Sequence, residues 1–246
     1  MGMVGCYSVS MGNQAIRIAL LTALVLHVGA CGDASHTVGS VCASVVDGAS
    51  VGQGGEMSTV WVGCPGCCTG TYIAPGVVLT AAHCGNPAQV GTETTVGNNI
   101  LHVPHPDYSF PHNDIALIFL DRELDRPIAT LGAADYGDAV IQGYGVQRDG
   151  SKGEIMQASV IIEEFRANPS SIVTDSGADS CYGDSGGPLY QNGIHVGITR
   201  QGVSESPTSD PIDACGLGGI YTPTVKHYDW LNSEVANIQW NSTCAQ

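Results

Sequence analysis

The chain has 246 residues, 43% hydrophobic and only 13% charged, with 33 glycines and a formal net charge of −15. That length allows a sizeable core in one large or two small domains, and the glycine-rich balance suits a turn-rich all-β globule better than a helical bundle or a disordered chain. So acidic a chain is a poor match for phosphate backbones, which excludes nucleic acid as a partner, whereas its field would attract basic substrates.

In chain order, residues 16–28 form an apolar run (IRIALLTALVLHV) with Arg17 as its lone cation, closed by Gly29-Ala30-Cys31. The run is short for a bilayer span and has the layout of an export signal, with Val28 and Ala30 as the small residues before the cut. Residues 1–30 are therefore predicted to be a signal peptide, and the mature protein to be secreted. Val28-Gly29-Ala30-Cys31 also resembles a bacterial lipobox; in that alternative Cys31 carries lipid, and this is the one route to a membrane. Residues 31–44 are small and polar and read as a propeptide or linker. Of ten cysteines, Cys6 and Cys31 fall in or beside the signal, leaving Cys42, Cys64, Cys67, Cys68, Cys84, Cys181, Cys215 and Cys244 in the body. An even number in an exported chain points to structural disulfides. Cys64-Pro65-Gly66-Cys67 on its own also fits a redox pair or half a zinc site, but no second pair stands at zinc-ribbon spacing.

Short runs rich in Val, Ile and Thr then alternate with turn clusters, which predicts strands over 59–62, 70–74, 77–82, 115–120, 139–141, 156–162, 187–190 and 195–199. Strands at this spacing argue for a β-sandwich or barrel. The one helical pattern spans 225–235, where Val225, Tyr228, Trp230, Leu231 and Val235 recur at helical intervals after Pro223.

Three segments carry chemistry. In Leu79-Thr80-Ala81-Ala82-His83-Cys84 a histidine follows a strand and abuts a cysteine able to pin its loop. In Asn113-Asp114-Ile115-Ala116-Leu117-Ile118 a carboxylate opens an apolar strand, where burial is expensive without a partner such as an imidazole N–H. In Gly183-Asp184-Ser185-Gly186-Gly187-Pro188 glycines flank a serine, allowing a tight turn whose N–H groups are free to face a ligand.

TAAHC, DIAL and GDSGGP together resemble the chymotrypsin/trypsin-like serine proteases over roughly residues 45–235. The resemblance implies an all-β fold of two antiparallel six-stranded barrels with a C-terminal helix, the halves meeting near residues 122–131. The peptidase domain would span 45–238, with 239–246 a C-terminal tail. It also implies a monomer that needs no cofactor or metal and acts on protein or peptide substrates. Ser185 would be the nucleophile, His83 its base and Asp114 the residue orienting His83. Gly183 and Ser185 would supply the oxyanion-hole N–H groups. The family's disulfides would join Cys68 to Cys84 and Cys181 to Cys215. Asp179, six residues before Ser185, would floor a pocket for substrate Arg or Lys, with Gly202 and Gly219 as its walls. Val45-Val46-Asp47-Gly48 resembles the family's mature N-terminus, so an activating protease would cut after Ser44 and free the Val45 amine to pair with Asp184.

The pattern departs from the family at several points. His83 and Asp114 are only 31 residues apart, which implies short surface loops. Arg200 stands where the family has a serine supporting the catalytic acid, and Gln201 where it has a channel-lining tryptophan. Arg200 is expected either to pair with Asp114 in competition with His83 or to run its stem to the surface. An insertion at 202–215, with Glu205, Asp210 and Asp213, lies beside the pocket. Two other readings stand beside the peptidase: an inactive barrel that binds proteins, and an esterase using the same triad.

Overall fold

The computed structural model describes residues 45, 48–51, 58–147, 149–168, 170–175, 177–203 and 215–241. The predicted signal peptide, Cys31, the 31–44 segment, Cys42, Cys244, Glu205, Asp210 and Asp213 lie outside the described residues.

A two-residue strand β1 (Ala49–Ser50) precedes two barrels. The first uses β2 (Thr59–Val62), β3 (Cys68–Ala74), β4 (Val77–Thr80), β5 (Gln89–Gly91), β6 (Val96–Pro104) and β7 (Ala116–Leu120). These close antiparallel in the order β2-β3-β4-β7-β6-β5. The second uses β8 (Gly137–Gly143), β9 (Met156–Ala167), β10 (Ser170–Thr174), β11 (Pro188–Gln191), β12 (Ile194–Gly202) and β13 (Gly219–Pro223). Its order is β9-β10-β13-β12-β11-β8, the β8–β9 pairing closes it, and β1 adds to the outer side of β9. The expected pair of six-stranded barrels is therefore present, with the crossover between Leu120 and Gly137.

The burial patterns explain why some strands read as alternating and others as continuous apolar runs. In β9, Met156, Ala158, Val160 and Ile162 are buried while Ser159 and Ile161 are exposed, the two-residue period of a strand with one wet face. In β4 and β7 both faces are covered. Val78, Ile118 and Leu120 fill the first barrel with Val60, Val62, Tyr72 and Val90. Val77, Leu79, Ile115 and Leu117 face the opposite way, into a second cluster with Ala129, Leu131, Ile198, Leu231 and Val235. That cluster joins the first barrel to β12 and to the C-terminal helix, so the strands carrying the candidate site are gripped on both sides.

Two predicted elements need correction at their ends. The 77–82 strand stops at Thr80, and Ala82–Cys84 is a 3₁₀ turn, because the chain leaves the sheet there and turns at Gly85. The 225–235 helix begins with a 3₁₀ turn, Thr224–His227, and only Tyr228–Glu234 is α-helical (α1). The strands β1, β5, β6, β10 and β13 carry weak or mixed patterns and were not predicted; β6, for instance, is largely exposed.

Candidate active site

β4 and β7 pair antiparallel with Thr80 opposite Ala116. His83, three residues beyond Thr80, and Asp114, two before Ala116, therefore emerge at the same end of adjacent strands. His83 Nδ1 lies 2.6 Å from Asp114 Oδ2, and the His83 backbone N–H donates to Asp114 Oδ1 at 2.9 Å. Asp114 is 0% exposed, so both oxygens of a buried carboxylate are held by one residue, which fixes the imidazole by its ring and by its main chain at once. The Phe110 ring meets the His83 ring edge-on at 5.9 Å.

Ser185 lies on two successive turns, closed by Asp184 N–H to Cys181 O at 3.0 Å and Gly187 N–H to Asp184 O at 2.8 Å. The Gly183 and Ser185 N–H groups donate to no carbonyl among the described residues. Gly183 has φ +96°, and a Cβ there would fall 2.7 Å from Gly66 O and 2.9 Å from Gly145 Cα, so the turn requires glycine.

Thr69, on β3 of the first barrel, clips this loop in place. Its N–H donates to Ser185 O at 2.8 Å and its Oγ1 donates to Gly183 O at 2.9 Å. Oγ1 also accepts the Tyr144 N–H at 3.1 Å, and Thr69 O accepts from Thr80 Oγ1 at 2.8 Å. The disulfide Cys68–Cys84 adjoins this clip and brings Cys84 Sγ to 3.4 Å from Ser185 O. Cys181–Cys215 is formed as expected, and Cys64 pairs with Cys67, a partner the sequence left open. The turn inside that last disulfide supplies the Gly66 carbonyl that crowds Gly183.

A cleft of about 390 Å³ opens beside Ser185, lined among others by Phe110, Cys181, Tyr182, Arg200, Gln201 and Gly202. Phe110 and Tyr182 are exposed on its rim. Asp179 lies beneath Ser180 with 0% exposure and does not reach the cleft surface. Its Oδ1 accepts from Ser180 N–H at 2.6 Å and its Oδ2 from Gly216 N–H at 3.2 Å. Burial pushes its pKa up to about 6, the backbone donors opposing the rise. Gly202 lines the cleft, whereas Gly219 backs onto the Tyr221 ring.

Asp184 points away from the cleft. It is 1% exposed and accepts from Cys181 N–H and Gly145 N–H, both at 2.8 Å. A Cβ on Gly143 or Gly145 would collide with its carboxyl, so the two glycines make its cavity. No cation pairs with it among the described residues, and burial raises its pKa to about 7, with Asp179 adding to the rise. Val45 is fully buried in the second-barrel core with Ile141, Met156 and Ala158, and its nitrogen is an amide in the uncut chain.

Arg200 follows neither sequence expectation. It makes no ion pair with Asp114 among the described residues and does not reach the surface, being 4% exposed. Its Nη1 donates to Pro111 O at 3.1 Å, and its Nε is buried without a partner. Thr69, Phe110, Tyr182 and the Pro111 carbonyl were not singled out in the sequence. Only the DIAL segment lies close enough to two of them to have drawn attention.

The sequence matches the Trypsin family over residues 46–231. It is 30% identical to a trypsin of Squalus acanthias over 206 residues, 70% of this chain and 86% of the relative. It is 29% identical to kallikrein-4 of Homo sapiens, covering 68% of this chain and 77% of the relative. Among solved structures it superposes on neuropsin, a serine protease expressed in the limbic system of mouse brain. There the TM-score is 0.64 at 21% identity, covering 77% of this chain and 99% of the other, a likeness of fold.

Proposed function

The chain belongs to the chymotrypsin/trypsin-like serine proteases and is a serine endopeptidase, and on that premise we propose that it is a secreted enzyme that cleaves after Arg or Lys. The observation that carries this reading is the His83–Asp114 pair at 2.6 Å, whose imidazole meets the ring of Phe110, a residue lining the cleft beside Ser185.

In the proposed cycle His83 takes the Ser185 hydroxyl proton as the serine oxygen attacks the scissile carbonyl. Asp114 keeps the Nδ1 proton in place and stabilises the imidazolium. The N–H groups of Gly183 and Ser185 stabilise the tetrahedral oxyanion, where each such donor is typically worth about 2.7–4 kcal/mol. His83 then returns the proton to the leaving amine, leaving an acyl group on Ser185. Water, activated by His83 in the same way, hydrolyses that ester and restores the serine.

Asp179 would set specificity as the buried acid next to Ser180, a residue that lines the cleft, with Gly202 leaving room in the cleft wall for a long side chain. Activation follows from Asp184. In the uncut chain it is a buried carboxyl with no counter-charge, and a cut after Ser44 creates the Val45 amine that supplies one. Val45 already lies in the buried cluster that includes Ile141 of β8, the strand that ends at Gly143 in the wall of the Asp184 cavity.

A peptide-library cleavage profile combined with N-terminal sequencing of the active form tests the whole reading. Arg or Lys before the cut and Val45 as first residue are expected. Cleavage after other residues overturns the specificity, and another N-terminus overturns the activation site.

A further inference from the structure

We infer that Arg200 forms a carboxylate-binding subsite in the cleft, which reads an acidic side chain on the substrate residue just before the one that enters the Asp179 pocket. The inference rests on the peptidase reading for its placement along a substrate, and on the side chain's own surroundings for its chemistry.

Arg200 is a cation almost wholly withdrawn from water, which is costly unless it is paired. The chain has only eight Lys and Arg in all, and one of them lines the cleft beside Ser185. Of its five N–H donors, one is used among the described residues. Nη1 has the Pro111 carbonyl, a neutral partner, while Nε has none, and no hydrogen bond ties Nη2 among the described residues. Nε and Nη2 form the edge on which a guanidinium receives both oxygens of a carboxylate side-on. The charges that act on it are few. Asp114 favours its charged form and Arg166 opposes it. Asp114 is no substitute for a partner, because no ion pair joins it to Arg200 among the described residues. The group therefore lacks an anion, and the cleft that Arg200 lines is the side from which one would reach it.

Its neighbours fix where along a substrate that anion would come. Arg200 precedes Gln201 and Gly202, and Gly202 is the proposed wall of the basic-residue pocket. On the other side it is tied to Pro111, next to Phe110, whose ring lies against His83. The guanidinium thus lies between the proposed basic-residue pocket and the Phe110 side of the cleft, where the residue before the cleaved one would pass. A substrate's C-terminal carboxylate has the same chemistry, and the two sources are separable by experiment.

The test uses the protein cut after Ser44 and carrying Ser185→Ala, so that binding is read without turnover. Calorimetry compares acetyl-Ala-Glu-Arg-Ala-amide with its Gln counterpart at 0.15 M salt. A Glu advantage of about tenfold is expected, lost in the Arg200→Gln background while the Gln peptide changes less than about threefold. Equal affinities, or a Glu advantage that survives Arg200→Gln, overturn the subsite. Should Arg200→Gln fail to fold, Arg200→Lys keeps the charge without the fork; a several-fold smaller Glu advantage supports the subsite and an unchanged one overturns it. A preference for acetyl-Ala-Gln-Arg acid over its amide, without any Glu advantage, assigns the site to a chain terminus and overturns the side-chain reading. Preferential Glu binding by a protein whose Ser185 form cleaves neither peptide supports the subsite while the peptidase reading fails; equal cleavage of both does the reverse.

Discussion

The Thr69 N–H donates to Ser185 O at 2.8 Å, a bond from a strand of one barrel to the candidate nucleophile beside the other. With the Thr69 hydroxyl on Gly183 O, it holds both residues proposed to supply the oxyanion-hole N–H groups. The loop that would bear the negative charge in catalysis is thus positioned by the barrel that carries His83 and Asp114.

Thr69→Val keeps the backbone bond to Ser185 but removes the hydroxyl, stranding Gly183 O and the Tyr144 N–H in a buried setting. A stability loss of about 1–3 kcal/mol is expected by denaturant unfolding. As a positioning residue it should act on kcat, by roughly tenfold or more, with KM nearly constant, since a displaced donor weakens the transition state more than the ground state. An equal rise in KM would place Thr69 in substrate binding instead.

Asp114→Asn retains the volume and lets the imidazole take the wrong tautomer. Steady-state kinetics at neutral pH should show kcat reduced by about 10⁴-fold, the size of effect found for such a triad acid. A reduction below about tenfold would mean that His83 is held by other groups.

On the proposed activation route, Asp184 would link activation to pH. Its pKa rises from an ordinary 3.8 to about 7 in the uncut fold. A carboxyl raised in this way keeps its proton longer in the folded than in the unfolded chain, so it lowers stability as pH climbs from about 4 to about 7. The Val45 amine of the cut form removes that loss by pairing with the ionised group. The Tm difference between cut and uncut protein should therefore grow across this window and level off above it. His195 and His227, whose pKa values burial lowers to about 3 and about 4, titrate alike in both forms and cancel in the difference. A pH-independent difference would detach Asp184 from activation.

Asp179, with a pKa raised to about 6, supplies a full negative charge only above that pH. The ratio of kcat/KM for an Arg substrate over a neutral one should fall as pH drops through about 6, a ratio in which effects common to both substrates cancel. Asp179→Ser should abolish the preference at every pH. A ratio flat from pH 8 to 5 would remove Asp179 from the pocket.

The local half of this site is legible in the sequence. His83, Asp114 and Ser185 each sit in a short segment whose composition states its geometry, a strand end, a buried strand start and a glycine-framed turn. Alternation in β9 and continuous burial in β4 and β7 likewise follow from which faces are covered. What lies beyond reach is set by long-range pairing. Thr69 is one threonine among several in β-rich sequence, and its partner Gly183 is 114 residues away. Arg200 is visible as a departure, yet whether its guanidinium meets Asp114, water or the Pro111 carbonyl depends on loops 89 residues apart.

The central claim is that Ser185 is an activated nucleophile, and covalent labelling tests it most directly. The folded protein, cut after Ser44, is treated with a fluorophosphonate and mapped by peptide mass spectrometry. One adduct per chain on Ser185 is expected, its formation slowed by orders of magnitude in His83→Ala. Folded, cut protein that takes no label, or takes it at another residue, contradicts the account.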